Sequence, residues 1–78
     1  MEVKSDTLED RKLLFTVVAI EAGAKKLGIT PSEMAQRLDA QGLIEGRLMK
    51  YYDTLHTQSQ DYVADDIVET LLNYESEN

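Results

Sequence analysis

The sequence predicts an all-α fold, a compact bundle of about four helices forming a single domain over residues 1–78. Three observations carry this. Apolar residues recur at intervals of three and four along the longer segments, the spacing that lines one face of a helix. The longest segment runs without proline past the length a strand reaches, about ten residues. Gly28, Pro31 and Gly42 fall where such helices would end or begin.

Residues 8–27 form the first predicted helix, with a single interior glycine, Gly23. The β-branched cluster "FTVVAI" favours a strand by propensity, but the uninterrupted length decides for a helix. Asp6 with Glu9 three residues later predicts a capping box at its start, and Gly28 predicts a left-handed cap at its end. Leu13, Val17, Ile20, Ala24 and Leu27 make one continuous stripe, while Leu8, Phe15, Val18, Ala19 and Ala22 occupy nearly the opposite side. A helix apolar on two sides is either the centre of its bundle or keeps one face for a second chain. Phe15 and Val18 are the candidate interface residues in the latter case.

"GITPSEM", residues 28–34, predicts a sharp junction. Thr30 suits the N-cap, Pro31 the first helical position, where an N–H would be unpaired anyway, and Glu33 can return a bond to Thr30. Ile29 and Met34 complete a hydrophobic staple. The second helix then runs to about Gln41, with Met34, Ala35 and Leu38 inward and Gly42 as its stop. The same stretch has the outline of a helix-turn-helix, with Ala24 four residues before the turn glycine and Met34 six after it. Its reading helix, however, offers only Gln36 and Arg37 as base contacts beside Glu33 and Asp39, and only Lys25 and Lys26 stand ready for phosphate. The junction is read as structural, with a DNA-binding regulator as the alternative.

The third predicted helix covers Ile44 to His56, with Ile44, Leu48, Tyr51, Tyr52 and Leu55 on one broad face and Gly46 on the far side. Its adjacent tyrosines either edge the core with their hydroxyls in water or anchor an interface. The fourth runs from about Gln60 to Tyr74, capped by Thr57 or Ser59. Val63, Ile67, Leu71 and Tyr74 form its inward stripe, and Tyr62, Asp65, Asp66, Glu69 and Asn73 share the opposite face. That acidic face is either solvated surface or a docking strip for a basic partner.

Composition narrows the function. A chain of 78 residues is near the size where one core leaves only about 3–5 kcal/mol of net stability, and without cysteine no disulfide can help. Association, with a second copy or another protein, is therefore expected. The net charge of -7 divides into -1 over residues 1–40 and -6 over residues 41–78, so phosphate backbones would be repelled and basic proteins are favoured over nucleic acid. "RKLLFTVVAIEAGA" has the outline of an export signal. Glu2, Asp6, Glu9 and Asp10 precede it, however, and Glu21 and Lys25 bound the apolar run short of the roughly 20 residues that span a bilayer. A cytoplasmic protein without membrane association is expected.

No catalytic constellation emerges. His56 is the only histidine; Asp53 and Asp66 are the carboxylates in reach for an acid–base pair, but a histidine at a helix end more often engages the last carbonyls. One histidine with scattered carboxylates lacks zinc-ligand spacing, and phosphate loops and nucleophile elbows are absent. The sequence thus predicts no catalytic residue, no cofactor and no metal.

"YYDTLHTQSQDYVADDI", residues 51–67, resembles the signature of a family of small bacterial proteins of unknown function, in which an L-H-T-Q run precedes a tyrosine and then an acidic-Ile pair. Leu55, His56, Thr57, Gln58, Tyr62, Asp66 and Ile67 carry the resemblance; where relatives often have glycine after the glutamine, this chain has Ser59. The resemblance implies no activity. Some members are encoded beside proteins resembling ADP-ribosyltransferases, which implies an accessory or antitoxin-like role. It also groups His56, Gln58, Tyr62 and Asp66 as one cluster for partner contact or for locking the turn. A bond from Tyr62 or His56 to Asp66 would pin the third helix to the fourth, with a net worth of about 1 kcal/mol. Together with Phe15, Val18, Asp65 and Glu69 as candidate interface, these residues lead to the expected function, a small non-enzymatic protein–protein interaction module.

Overall fold

The first helix, α1 (Leu8–Leu27), is the axis on which the other elements pack. In the computed structural model, which describes residues 7–77, it is followed by α2 (Pro31–Ala40), a π-helical segment (Ile44–Met49), a short α3 (Tyr52–Leu55) and α4 (Gln60–Ser76). The described residues contain no strand, and the fold is all-α as the apolar spacing predicts. None of their helices is long and apolar enough to cross a membrane.

Helix ends follow local chemistry. The hydroxyl of Thr7 accepts from the N–H of Asp10 at 3.1 Å and so caps α1. The expected box began at Asp6, which lies outside the described residues; the cap falls one position later because Thr7 takes the extended conformation and faces the free amides. Gly28, at φ 70°, closes the helix with its N–H on the carbonyls of Ala24 and Lys25, and the left-handed turn needs glycine's freedom. Thr30 then accepts from the Glu33 N–H at 3.0 Å, with Pro31 at the first helical position. Of the two caps open for α4, Ser59 is the one used. It accepts from the Tyr62 N–H at 3.1 Å with φ -66°, a conformation that does not require glycine.

Around α1, burial departs from both predicted stripes. Ala24 is buried from one stripe and Ala19 from the other, while the remaining buried positions, Thr16 and Gly23, lie between the two; the Thr16 hydroxyl is satisfied by donating to the Lys12 carbonyl at 2.7 Å. α2 has half as many residues as α1, about 15 Å against 30 Å. The stripe is accordingly covered from Ile20 onward, whereas Leu13 and Val17 remain exposed together with Leu8 and Leu14. The core itself is made by Met34, Leu38, Leu48, Ile67 and Leu71, all fully buried. Gly23 sits where three helices converge: a Cβ there would stand 2.9 Å from Met34 Cε and 3.2 Å from Ile67 Cγ2.

The third predicted helix is not continuous. Its first part is π-helical, with the Lys50 N–H reaching the Glu45 carbonyl at 3.1 Å. The apolar spacing explains the widened turn, because Leu43 and Leu48, both buried, are five residues apart, and only an i→i+5 turn brings such a pair near one face. The sequence expectation sets both tyrosines alike, half-buried at the core edge or anchoring an interface. Only Tyr52 is buried; Tyr51 is exposed, with Arg47 and Lys50 over its ring at 5.4 and 5.5 Å. Tyr74, expected on the inward stripe of α4, is likewise exposed, while Val63, Ile67 and Leu71 are buried as predicted.

Candidate functional site

A groove of about 350 Å³ opens between α1 and the corner where α3 turns into α4. Helical spacing on α1 brings Leu14, Phe15, Val18 and Ala22 to its floor and one wall, and Tyr52 and Val63 supply the other wall. The rings lock one another. Phe15 meets Tyr52 edge to face, with centroids 5.4 Å apart, and His56 stacks on Tyr52 at 4.4 Å and 9°. His56 Nδ1 lies 2.8 Å from the Tyr52 carbonyl. A carbonyl only accepts, so Nδ1 carries the proton and Nε2 is left as an acceptor in the neutral ring. His56, Gln58 and Gln60 thereby form a polar rim on an apolar trough.

The second surface is the outer face of α4, where Asp61, Tyr62, Asp65, Asp66 and Glu69 line a shallow hollow with Ser59. Two of its carboxylates are bridged by Lys26, whose Nζ lies 2.8 Å from Asp61 and 3.0 Å from Asp65; these bonds raise the lysine above its ordinary pKa. Arg47 Nε and Nη2 donate to both oxygens of Asp66, at 3.1 and 2.7 Å. At the far end of α4, Arg37 donates in the same forked manner to Glu75, at 2.9 and 2.5 Å, and its guanidinium holds that carboxyl below the usual range.

The four-residue cluster grouped by the resemblance does not stay together. His56 and Gln58 join Phe15 and Val18 at the groove, while Tyr62 and Asp66 join Asp65 and Glu69 on the acidic face. Asp66 does pin the third segment to α4, but it accepts from Arg47 rather than from Tyr62 or His56. The imidazole is committed to Tyr52, so neither Asp53 nor Asp66 is its bonding partner. Arg47, which holds Asp66, is not singled out by the sequence; a lone arginine on a broken helix gives no local signal of a partner 19 residues away. Among the described residues, no group of three or more His, Cys, Asp or Glu is placed to hold a metal ion.

The two surfaces are continuous. Ala22 and Gln60 border both the groove and a saddle that includes Lys25, Lys26 and Ala64, and Asp61 belongs to the saddle and to the acidic face alike. A profile for a family described as "Protein of unknown function (DUF3791)" matches residues 14–73. The chain belongs to that family. No curated protein and no solved structure matches it. The span matched by DUF3791 contains the whole acidic hollow and every groove residue except Arg11.

Proposed function

We propose that this member of the family is a non-enzymatic protein-interaction module that holds a basic amphipathic helix of a partner protein. The observation that carries the reading is the unbroken passage from apolar groove to acidic strip around the start of α4. An amphipathic helix uses such a surface directly: apolar side chains at one-turn spacing enter the trough beside Phe15 and Val18, and basic residues further along reach Asp65 and Glu69. His56 and Gln58 then supply hydrogen bonds at the rim, and the acidic face, with Tyr62 exposed upon it, steers the encounter. Arg37 and Lys26, cations that a helix-turn-helix reading would put on DNA, are engaged with Glu75 and with Asp61 and Asp65, which favours the protein partner.

The resemblance stated for residues 51–67 adds a place to look: a basic protein encoded beside this one, to which the module would be an accessory or antitoxin-like companion in the cytoplasm. The test is affinity capture from native extract at physiological salt with the full chain, Val18→Asp and Glu69→Lys in parallel, circular dichroism confirming that each keeps its helices. The proposal expects a basic protein with the parent chain, its loss with Val18→Asp, and weaker, salt-sensitive retention with Glu69→Lys. Undiminished capture by Val18→Asp contradicts it.

A further inference from the structure

The exposed flank of α1 adjoins the groove and lies outside the acidic strip. Leu13, Leu14 and Val17 are 55, 66 and 50 % exposed; Leu14 borders the groove, whereas Leu13 and Val17 continue the stripe that α2 is too short to cover. Asp10, Leu14, Val17, Glu21 and Lys25 follow one another at intervals of four, three, four and four, and so form a single seam along the helix. We propose that this seam is a self-association face, on which a second copy of the chain packs its own α1 antiparallel about a two-fold axis.

Charge selects the occupant. α1 carries Arg11, Lys12, Lys25 and Lys26 against Glu9, Asp10 and Glu21, so it is close to neutral, while most of the net charge of -7 lies in residues 41–78. Asp61 and Asp65 are held at Lys26, nine residues from Val17 and thus about 13 Å further along the axis. A two-fold crossing α1 between Val17 and Val18 sets Asp10 of each copy beside Lys25 of the other, and neither residue has an ion-pair partner among the described residues of its own chain. The same register places Val17 against Val18 and Leu13 against Ala22, and it lays the stem of Glu21 over Leu14 with its carboxylate in water. A basic partner, by contrast, gains nothing from a flank whose charges already balance.

Area sets the strength. The three exposed side chains offer roughly 300 Å² of apolar surface, and with the stems of Asp10, Glu21 and Lys25 the contact reaches about 500 Å² per copy, the lower bound for a specific interface. The dimer is therefore reversible. This inference goes beyond the proposed partner docking; Val18 and Ala22 take part in both contacts, so the two are told apart at Val17, which does not line the groove.

Sedimentation equilibrium of the full chain from about 10 µM to about 1 mM, at low salt, tests it. The expected result is a monomer–dimer equilibrium for the parent chain and a monomer for Val17→Asp, with helicity by circular dichroism unchanged because Val17 is exposed. Asp10→Lys and Lys25→Asp singly should each weaken the dimer about tenfold or more, and the double exchange should restore it by re-forming both pairs. A parent chain that stays monomeric throughout overturns the proposal, as does a dimer indifferent to Val17→Asp or to the charge exchanges.

Discussion

Replacing Gly23 with alanine sets two opposed effects against each other at the point where α1, α2 and α4 meet. Alanine in a helix interior is favoured over glycine by about 1 kcal/mol. Against this, the new methyl would stand 2.9 Å from Met34 Cε and 3.2 Å from Ile67 Cγ2, in a site where both neighbours are fully buried. The end of Met34 is flexible but fully buried, so its shift must be taken up within the core, and the branched Ile67 must yield by a few tenths of an ångström; overpacking of this kind costs about 1–3 kcal/mol. The net expectation is a destabilisation of about 1 kcal/mol, which lowers the thermal midpoint by about 4–8 °C in a domain of this size. Gly46 provides the control, since a Cβ there meets nothing within 4 Å and Gly46→Ala should stabilise by several tenths of a kcal/mol to about 1 kcal/mol. Urea unfolding of both variants, and of Gly23→Ala combined with Met34→Leu, measures the balance. Removing the Met34 terminus should recover part of the loss as a coupling of about 0.5 kcal/mol or more. If Gly23→Ala stabilises as much as Gly46→Ala, the three helices do not pack as closely as described.

Other expectations rest on single contacts. Because Arg37 depresses the Glu75 carboxyl, the stability from that pair is fully present above the ordinary glutamate value of 4.5 and is lost as pH falls through the lowered folded value. Glu75→Gln should accordingly flatten the acid limb of a stability–pH curve below about pH 4.5 and leave its slope near neutrality unchanged. A double-mutant cycle of Arg47→Ala and Asp66→Ala, read by urea unfolding, should give a favourable coupling of about 1 kcal/mol for this forked, part-buried pair; Arg47→Ala with Asp53→Ala should give none. Thr30→Ala removes the acceptor for the Glu33 N–H and should cost about 1 kcal/mol in the same assay.

What could be read from the sequence was set by how local its cause is. Gly28 as the end of α1 and the Thr30–Pro31 entry to α2 depend on a few adjacent residues, and they form as predicted. The inward stripe of α4 was legible for Val63, Ile67 and Leu71, since three- and four-residue spacing fixes a face once a helix exists. Failures arose where a distant element decides. Tyr74 fits the periodicity yet is exposed, and Leu13 and Val17 belong to a stripe that runs beyond the reach of α2. The π-helical turn was hidden because Leu43 and Leu48 look like members of different faces until the turn widens. Groove residues Phe15, Val18, His56 and Gln58 were each singled out, but their meeting in one trough depends on Tyr52 packing against both Phe15 and His56, a long-range packing choice that no spacing rule encodes.

The proposed function makes the groove the place of partner contact, and contact can be read there directly. A photoreactive amino acid placed singly at positions 18 and 58 in the groove, and at 39 and 45 as exposed controls away from it, should on illumination in cells give the same crosslinked protein from the first pair and not from the second. Adducts that are equal at all four positions, or absent from 18 and 58, would contradict the account.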